Sequence, residues 1–462
     1  MRRCARLWPV STLPKHLCRV AWAVLALAAA PAVAAPESQR WKPASLDGWL
    51  TAPGLWTDGV QAFMDAYARN GFEYESGREV VRAASSGLTF LTNRIWEARV
   101  YFADGKARRA DLLLYNRGDA AALDQPEFER LVKQVNDGLV QWAGSSGATA
   151  PEALGRDSRI VRGRVWRRAP CRAELEWAFS RNRRAAEGEL VTFRAEYVRV
   201  RLTPADSETP VARAETSVYQ PPPSALTLRG RVRRGDNGDL WIGDLPMVDQ
   251  GEKGYCAAAA SERLLRYYGR AVDQHQVAQL ADTARDKGTT FEGMIDALKT
   301  ICHRFQLDVQ PLQEFDYNDC VALIKAYNKA AAAKREMTIE YGNTINLGEM
   351  YGQMEPAVLR QARGSNAQAL GRFRQHVAQY AGGGMPMLWG TMVGIFPENP
   401  PLHLRQAGVG GHIRIIIGIN AKTDEILYSD TWGPGHELKR LPAADAWAMT
   451  VSMHVIKPRG AH

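Results

Sequence analysis

The stretch "DQGEKGYCAAAASERLLRYYG", residues 249–269, sets Cys256 at the start of an alanine-rich run that reads as a helix, six positions after Gln250. A thiol attacks a carbonyl only as the thiolate, and a free cysteine is mostly protonated at neutral pH. The first turn of a helix presents unpaired N–H groups and a partial positive charge, which favours the anion. A neighbouring imidazolium lowers the thiol further, to about 3–4 in the tightest Cys–His pairs. Taken alone, Cys256 reads more readily as a small buried hydrophobe. Its surroundings change the weighing. The Gln250 amide, with the Cys256 backbone N–H, would donate to an oxyanion as an acyl carbon becomes tetrahedral. Gly251 and Gly254 permit a tight loop between them.

His412 lies in "VGGHIRIIIGIN", where two glycines leave room for a partner or substrate backbone at the start of an apolar strand. Asp430 follows eighteen positions later in "YSDTWG". A strand, a turn and a returning strand would bring the two together, and the acid would fix the imidazole tautomer. Trp432-Gly433 would then cover the pair from water. The rivals are His403 and His436 for the base and Asp424 for the acid. His403 follows a Pro-rich loop and His436 sits in a Gly/Pro turn, so neither is on a rigid element.

The elements that must hold these residues can be read from pattern. "CAAAASERLLRYYG" is helical and ends on Gly269, a natural C-cap. "VDQHQVAQLAD" is a short second helix, and Thr289 with Glu292 makes a capping-box pair opening "FEGMIDALKTI". "GHIRIIIGINA" and "EILYSDTW" are strand-like runs joined by the turn-rich "KTDE". Residues 236–462 therefore predict helices in front and strands behind, an α+β arrangement. Residues 36–220 read as a separate mixed α/β domain. Within it, Phe128, Leu131, Val132, Val135, Leu139 and Trp142 share one helix face, opened by the N-cap pair Asp124 and Glu127. "RIWEARVYF" and "ARRADLLLY" flank Asp104-Gly105, a hairpin signal, and "AELEWAFS" and "LVTFRAEYVRVRL" read as further strands. No cluster of His, Cys or paired acids with a chemical spacing occurs there. "YQPPPSALT" marks a boundary, so 221–235 reads as a Pro/Arg-rich linker.

The N-terminus reads as a targeting segment. A basic stretch is followed by the short apolar run "AWAVLALAAAPAVA", and Ala32-Val33-Ala34 fits a small-x-small cleavage site. Residues 1–34 are thus expected to be a signal peptide, and the protein to be exported to the periplasm or beyond. No later run is long enough to span a bilayer. Losing five basic residues with that segment lowers the formal charge from +9 to +4, and the remaining Arg and Lys are scattered among acids, so no nucleic-acid partner is expected. Of six cysteines, Cys4 and Cys18 leave with the signal peptide. Cys171, Cys256, Cys302 and Cys320 remain, with no C-x-x-C pair to suggest zinc; a disulfide is open to them, and Cys302 and Cys320 are nearest in sequence.

"QGEKGYC", together with "SDTWG", resembles papain-like cysteine peptidases. The longer pattern, "QGEKGYCAAAASERLLRYYG" followed by "GTTFEGMIDALK", is closest to the branch that cuts bacteriocin leader peptides at a double glycine. The resemblance covers roughly 240–310 and 385–435. It implies a papain-like domain at the C-terminus, with Cys256 as nucleophile, His412 as base, Asp430 as orienter and Gln250 as oxyanion donor. It implies no cofactor and no metal. Gly-Tyr precedes Cys256 where leader peptidases usually carry Asp, 325–385 reads as an insertion, and no transporter membrane domain follows, so the leader-peptide substrate does not carry over. The expected function is an exported cysteine peptidase acting on a peptide or protein substrate. The other readings are a non-catalytic binding protein on the same fold and a cell-wall peptide amidase or transglutaminase-like enzyme, which share the Cys–His–Asp chemistry. The N-terminal region would serve as a pro-domain or as a recruiting or partner-binding module.

Overall fold

The structure is a computed structural model, and it describes residues 42–76, 79–84, 87–154, 159–184, 190–207, 222–250, 255–270, 272, 274–281, 291–402 and 409–459. The expected signal peptide, Gly251, Gly254, Thr289 and His403 lie outside these residues.

The N-terminal part is built on one long antiparallel sheet. Strand β1 (Ala44–Ser45) and helices α1 (Gly54–Thr57) and α2 (Val60–Tyr67) lead into β2 (Glu73–Ser76) and β3 (Val80–Ala83). Strands β4 (Leu88–Phe90) and β5 (Asn93–Arg94) close a small sheet with β1. Then come β6 (Glu97–Ala103), β7 (Lys106–Asn116), α3 (Gln125–Ala143), β8 (Ala148–Leu154), β9 (Arg159–Arg168), β10 (Cys171–Arg184) and β11 (Leu190–Pro204). The sheet order is β2-β3-β6-β7-β11-β10-β9-β8. Local sequence explains much of this. Asp104 (φ 53°) and Gly105 (φ 73°) both take the left-handed backbone, which is what a two-residue hairpin turn between β6 and β7 needs. Asp124 accepts from the Glu127 N–H while the Glu127 side chain accepts from the Asp124 N–H, so both ends of the capping box are made. The expected apolar face of α3 buries Phe128, Val135, Leu139 and Trp142, with Leu131 and Val132 packed at its margin.

In the C-terminal part, α4 (Ala225–Gly230) and β12 (Val232–Arg234) occupy the stretch expected to be a linker, and β12 pairs with β13 (Asp239–Ile242). The C-terminal sheet therefore begins before 236. Next come α5 (Cys256–Tyr267), α6 (Gln274–Leu280), α7 (Phe291–Arg304) and β14 (Leu307–Glu314). Four helices follow: α8 (Tyr317–Lys334), α9 (Leu347–Gly352), α10 (Pro356–Gly364) and α11 (Ala367–Gly382). The chain ends with β15 (Met387–Val393), β16 (Gly410–Asn420), β17 (Glu425–Ser429), β18 (Lys439–Pro442), α12 (Ala443–Met449) and β19 (Thr450–Pro458). The sheet runs β12-β13-β16-β15-β19-β14, with β17 joined to β16 and β18.

This sheet is covered on both faces. Leu264 and Leu265 of α5, Val277 of α6 and Leu298 of α7 pack on Leu388, Ile413, Ile415 and Ile417. Ile324, Tyr351, Leu359 and Phe373 of α8–α11 pack on Trp389, Ile416 and Met453 from the other side. Burial on both faces is why "IRIIIGI" shows almost no polar alternation. The α+β class stands, but helices in front and strands behind is only half of the arrangement. Segment 325–385, expected as an insertion, contributes most of a second helical layer.

Cys171, Cys256, Cys302 and Cys320 are all free thiols. Cys302 belongs to the core under α5–α7 and Cys320 to the core under α8–α11. The sheet separates them, so closeness in sequence makes no bridge.

Candidate active site

Cys256 is the first residue of α5, and no side chain among the described residues caps that helix end. The first-turn N–H groups therefore remain available to an anion. The thiol hydrogen-bonds with His412, and the backbone N–H groups of Ile413 and Ala257 point at the sulfur. The His412 Nε2 and the Asp430 Oδ1 lie 2.9 Å apart. A carboxylate can only accept, so Nε2 carries the proton and Nδ1 is left to face Cys256. His412 comes from β16 and Asp430 from the residue directly after β17, and the antiparallel pairing of these strands brings them together. Trp432 stacks face to face on the imidazole, with centroids 4.3 Å apart and planes 6° from parallel.

Gln250 is joined to the same segment. Its N–H donates to the Thr431 carbonyl at 2.8 Å, and its Oε1 accepts from the Thr431 hydroxyl at 2.5 Å. With Oε1 so engaged, the donor end of the amide, Nε2, is turned the other way. Arg263 of α5 locks the remaining pieces. It donates to the Asp430 carbonyl, to Ser429 Oγ at 2.6 Å and to the Pro246 carbonyl at 2.7 Å. One guanidinium thus ties the helix carrying Cys256 to the loops carrying Gln250 and Asp430.

The rivals fall elsewhere. Asp424 sits in the β16–β17 turn, in an exposed pair with Arg374. His436 lies in the turn after Trp432 with its ring edge-on to the indole, and its carbonyl accepts from the Asp430 N–H at 2.9 Å. His403 lies outside the described residues.

Residues 242–453 match the model of the Peptidase_C39 like family. That match marks the region as similar to cysteine peptidases of the C39 type. Among solved structures the chain is similar to Xylellain, a cysteine protease from Xylella fastidiosa, at 13% identity, covering 52% of this chain and 90% of that one with a TM-score of 0.25. So low a score bears on nothing at the site. No curated protein matches the chain.

The electrostatics of the peptidase centre on Asp430. It is fully buried, and burial alone would raise its pKa. Arg414, His412 and Lys439 more than reverse that and hold it well below the carboxylate range. Arg414 Nε lies 3.1 Å from Asp430 Oδ1 and Lys439 Nζ 3.3 Å from Oδ2. Both cations also reach Glu398, at 2.9 Å each, and Tyr428 donates to Glu398 at 2.6 Å. The side chains of these two acids and two cations are fully buried. Burial opposes the charged form of His412, but its bonds to Asp430 and Cys256 raise it above the ordinary imidazole value. Burial likewise opposes the Cys256 thiolate, and the His412 contact with the two backbone N–H groups lowers the thiol. Cys171, Cys302 and Cys320 show the contrast: burial pushes each up to about 12.

Sequence reading named Cys256, His412, Asp430, Gln250 and Trp432, and missed the supports. Arg414 had a signal, since a lone charge inside "HIRIII" must find a buried partner. Arg263 had a fainter one inside a helix of small and apolar residues. Glu398, Thr431 and Lys439 had none, because their partners are remote in sequence. Among the described residues no cluster of His, Cys, Asp and Glu could hold a metal ion, and no helix is long and apolar enough to cross a membrane.

Proposed function

We propose that the peptidase cuts peptide bonds through a Cys256–His412–Asp430 triad with Gln250 as an oxyanion donor, in a protein exported by its N-terminal segment. The observation that carries this reading is His412: one ring nitrogen meets Asp430, the other faces Cys256, and Trp432 covers the ring. The Cys256 thiolate attacks the scissile carbonyl carbon, and the carbonyl electron pair moves onto oxygen. Gln250 Nε2 and the Cys256 N–H receive that oxyanion, a contribution of about 3–4 kcal/mol per donor in comparable sites. As the tetrahedral adduct collapses, the C–N bond breaks and the His412 imidazolium gives its proton to the leaving amine. Neutral His412 then takes a proton from water, whose oxygen attacks the thioester. The acid product leaves and the thiolate–imidazolium pair is restored. Asp430 stays ionised throughout and keeps the proton on Nε2. Among the described residues, a Cβ at Gly410 or Gly411 would meet nothing within 4 Å, so the residues before His412 leave room for substrate beside the base.

The test is the pH profile of iodoacetamide labelling at Cys256, located by mass. Fast labelling well below the free-thiol value of about 8.5, moving up to that value in His412→Ala, is the expected result. A free-thiol profile in the parent protein would overturn the triad. Cys256→Ala should lower hydrolysis of any cleaved peptide by more than about 10⁴-fold. Export is supported by the basic segment, the apolar run and Ala32-Val33-Ala34. An N-terminus at Ala35 on the mature protein, read by intact mass, is the expected outcome.

A further inference from the structure

The mouth of α5 does not stand on the peptidase alone. The residue before the nucleophile, Tyr255, is almost fully buried, and its hydroxyl accepts from Asn116 Nδ2 at 2.6 Å. Asn116 is the last residue of β7 in the N-terminal sheet and is itself held by Asp119 at 2.8 Å. Gly118, in the turn after β7, lies so close that a Cβ there would fall 1.9 Å from the Tyr255 hydroxyl. The Tyr255 ring also meets His275 of α6 edge-on at 5.6 Å, and His275 Nε2 lies 3.0 Å from Glu97 of β6. On the other side of the same loop, Arg82 of β3 pairs with Asp249 at 3.4 Å, directly before Gln250. Strands β3 and β7 thus hold the two ends of the segment that runs from the oxyanion glutamine to the thiol, and β6 between them reaches Tyr255 through His275.

We propose that Asn116 is a positioning residue for the thiol: by fixing Tyr255 it fixes the first turn of α5, so the N-terminal sheet is a permanent part of the active site. This rests on the triad reading. It departs from a removable pro-domain, because a pro-domain blocks or folds a site and then leaves it. Here the contact is made behind Cys256, to a side chain already buried, and Asn116 itself is fully buried. The sulfur's alignment with the His412 ring and with the Ile413 and Ala257 N–H groups depends on where the first turn of α5 begins. Two buried groups of the N-terminal sheet, the Asn116 amide and the tight Gly118 turn, set that start.

The test uses the full chain in three forms: Tyr255→Phe, which removes one hydroxyl; Gly118→Ala, which drives a methyl against the ring; and Asn116→Leu. Each is labelled with iodoacetamide from pH 4 to 9, with the Cys256 adduct quantified by mass, and unfolded in urea. The expected result is a labelling midpoint moved up toward that of His412→Ala, with the rate at pH 6 down at least fivefold. Tyr255→Phe should show this with its unfolding midpoint close to the parent's. Where a cleaved peptide is in hand, kcat should fall with KM unchanged. Folded Tyr255→Phe and Gly118→Ala proteins that label like the parent would overturn the positioning role, even where stability has dropped. If Asn116→Leu fails to fold, those two variants decide. A parent protein that labels only as a free thiol would instead overturn the triad reading, and this proposal with it.

Discussion

Asp430 carries two duties that a single substitution separates poorly. In the proposed mechanism it orients His412, and it also lies against two buried cations, Arg414 and Lys439. Asp430→Asn keeps the shape but loses the charge, so Arg414 and Lys439 are left facing Glu398 alone. The expected outcome is a fall in kcat/KM of about 10⁴-fold, as for other triads whose acid becomes an amide. Stability should fall by about 3–5 kcal/mol, the usual cost of breaking a buried ion pair from one side; urea unfolding beside kinetics reads both. Asp430 also has a pH signature. Its folded pKa is depressed, so its stabilisation is fully present above the unfolded value of about 3.9 and fades as the pH falls below that toward the folded value. Urea midpoints of the parent should therefore drop between about pH 4 and 2, and those of Asp430→Asn should drop less. Gln250→Ala is a cleaner substitution. It should cost about 10²–10³ in kcat with little change in KM, because the amide is asked to meet charge that exists only in the transition state.

At the scale of elements, local rules were legible and layered packing was not. The Asp124–Glu127 box and the Asp104-Gly105 turn involve residues a few positions apart, so sequence alone names both partners. Asp124→Ala should lower stability by about 1 kcal/mol, seen as a shifted urea midpoint at unchanged slope. Cys256, His412 and Asp430, the residues of the proposed triad, could be singled out for a related reason: they stand at or near the ends of elements whose patterns were strong. Gly269 closes α5 in the left-handed conformation at φ 75°, as its place after the helix implies. The helices α8–α11 read only as an insertion, because their partner face on the sheet is assembled from β15, β16 and β19. The same distance hid Glu398, whose two cations lie on β16 and β18. The linker reading missed β12 because three prolines say where regular structure stops and say nothing of an edge strand a few residues on.

At the scale of the molecule, the N-terminal core and the peptidase cores are separate clusters, and polar, largely buried contacts cross between the two parts. Arg99 shows how tightly: it lies 3.0 Å from Glu75, 3.2 Å from Glu97 and 3.7 Å from Glu262 of α5. Arg99→Met would leave three acids around an uncharged chain. We expect a loss of about 3–5 kcal/mol, with calorimetry showing the peptidase transition lowered along with the N-terminal one; a change confined to a separate N-terminal transition would mean the two parts are not coupled there. Another whole-molecule property follows from where the cysteines sit. With Cys302 and Cys320 on opposite sides of a sheet and Cys171 deep in the N-terminal core, no covalent cross-link holds the described fold together. Folding therefore asks nothing of an oxidant or a disulfide isomerase, wherever the protein matures. The reductant that keeps Cys256 active at the bench should leave the melting temperature where it was, while the same protein left in air should lose activity long before it loses structure.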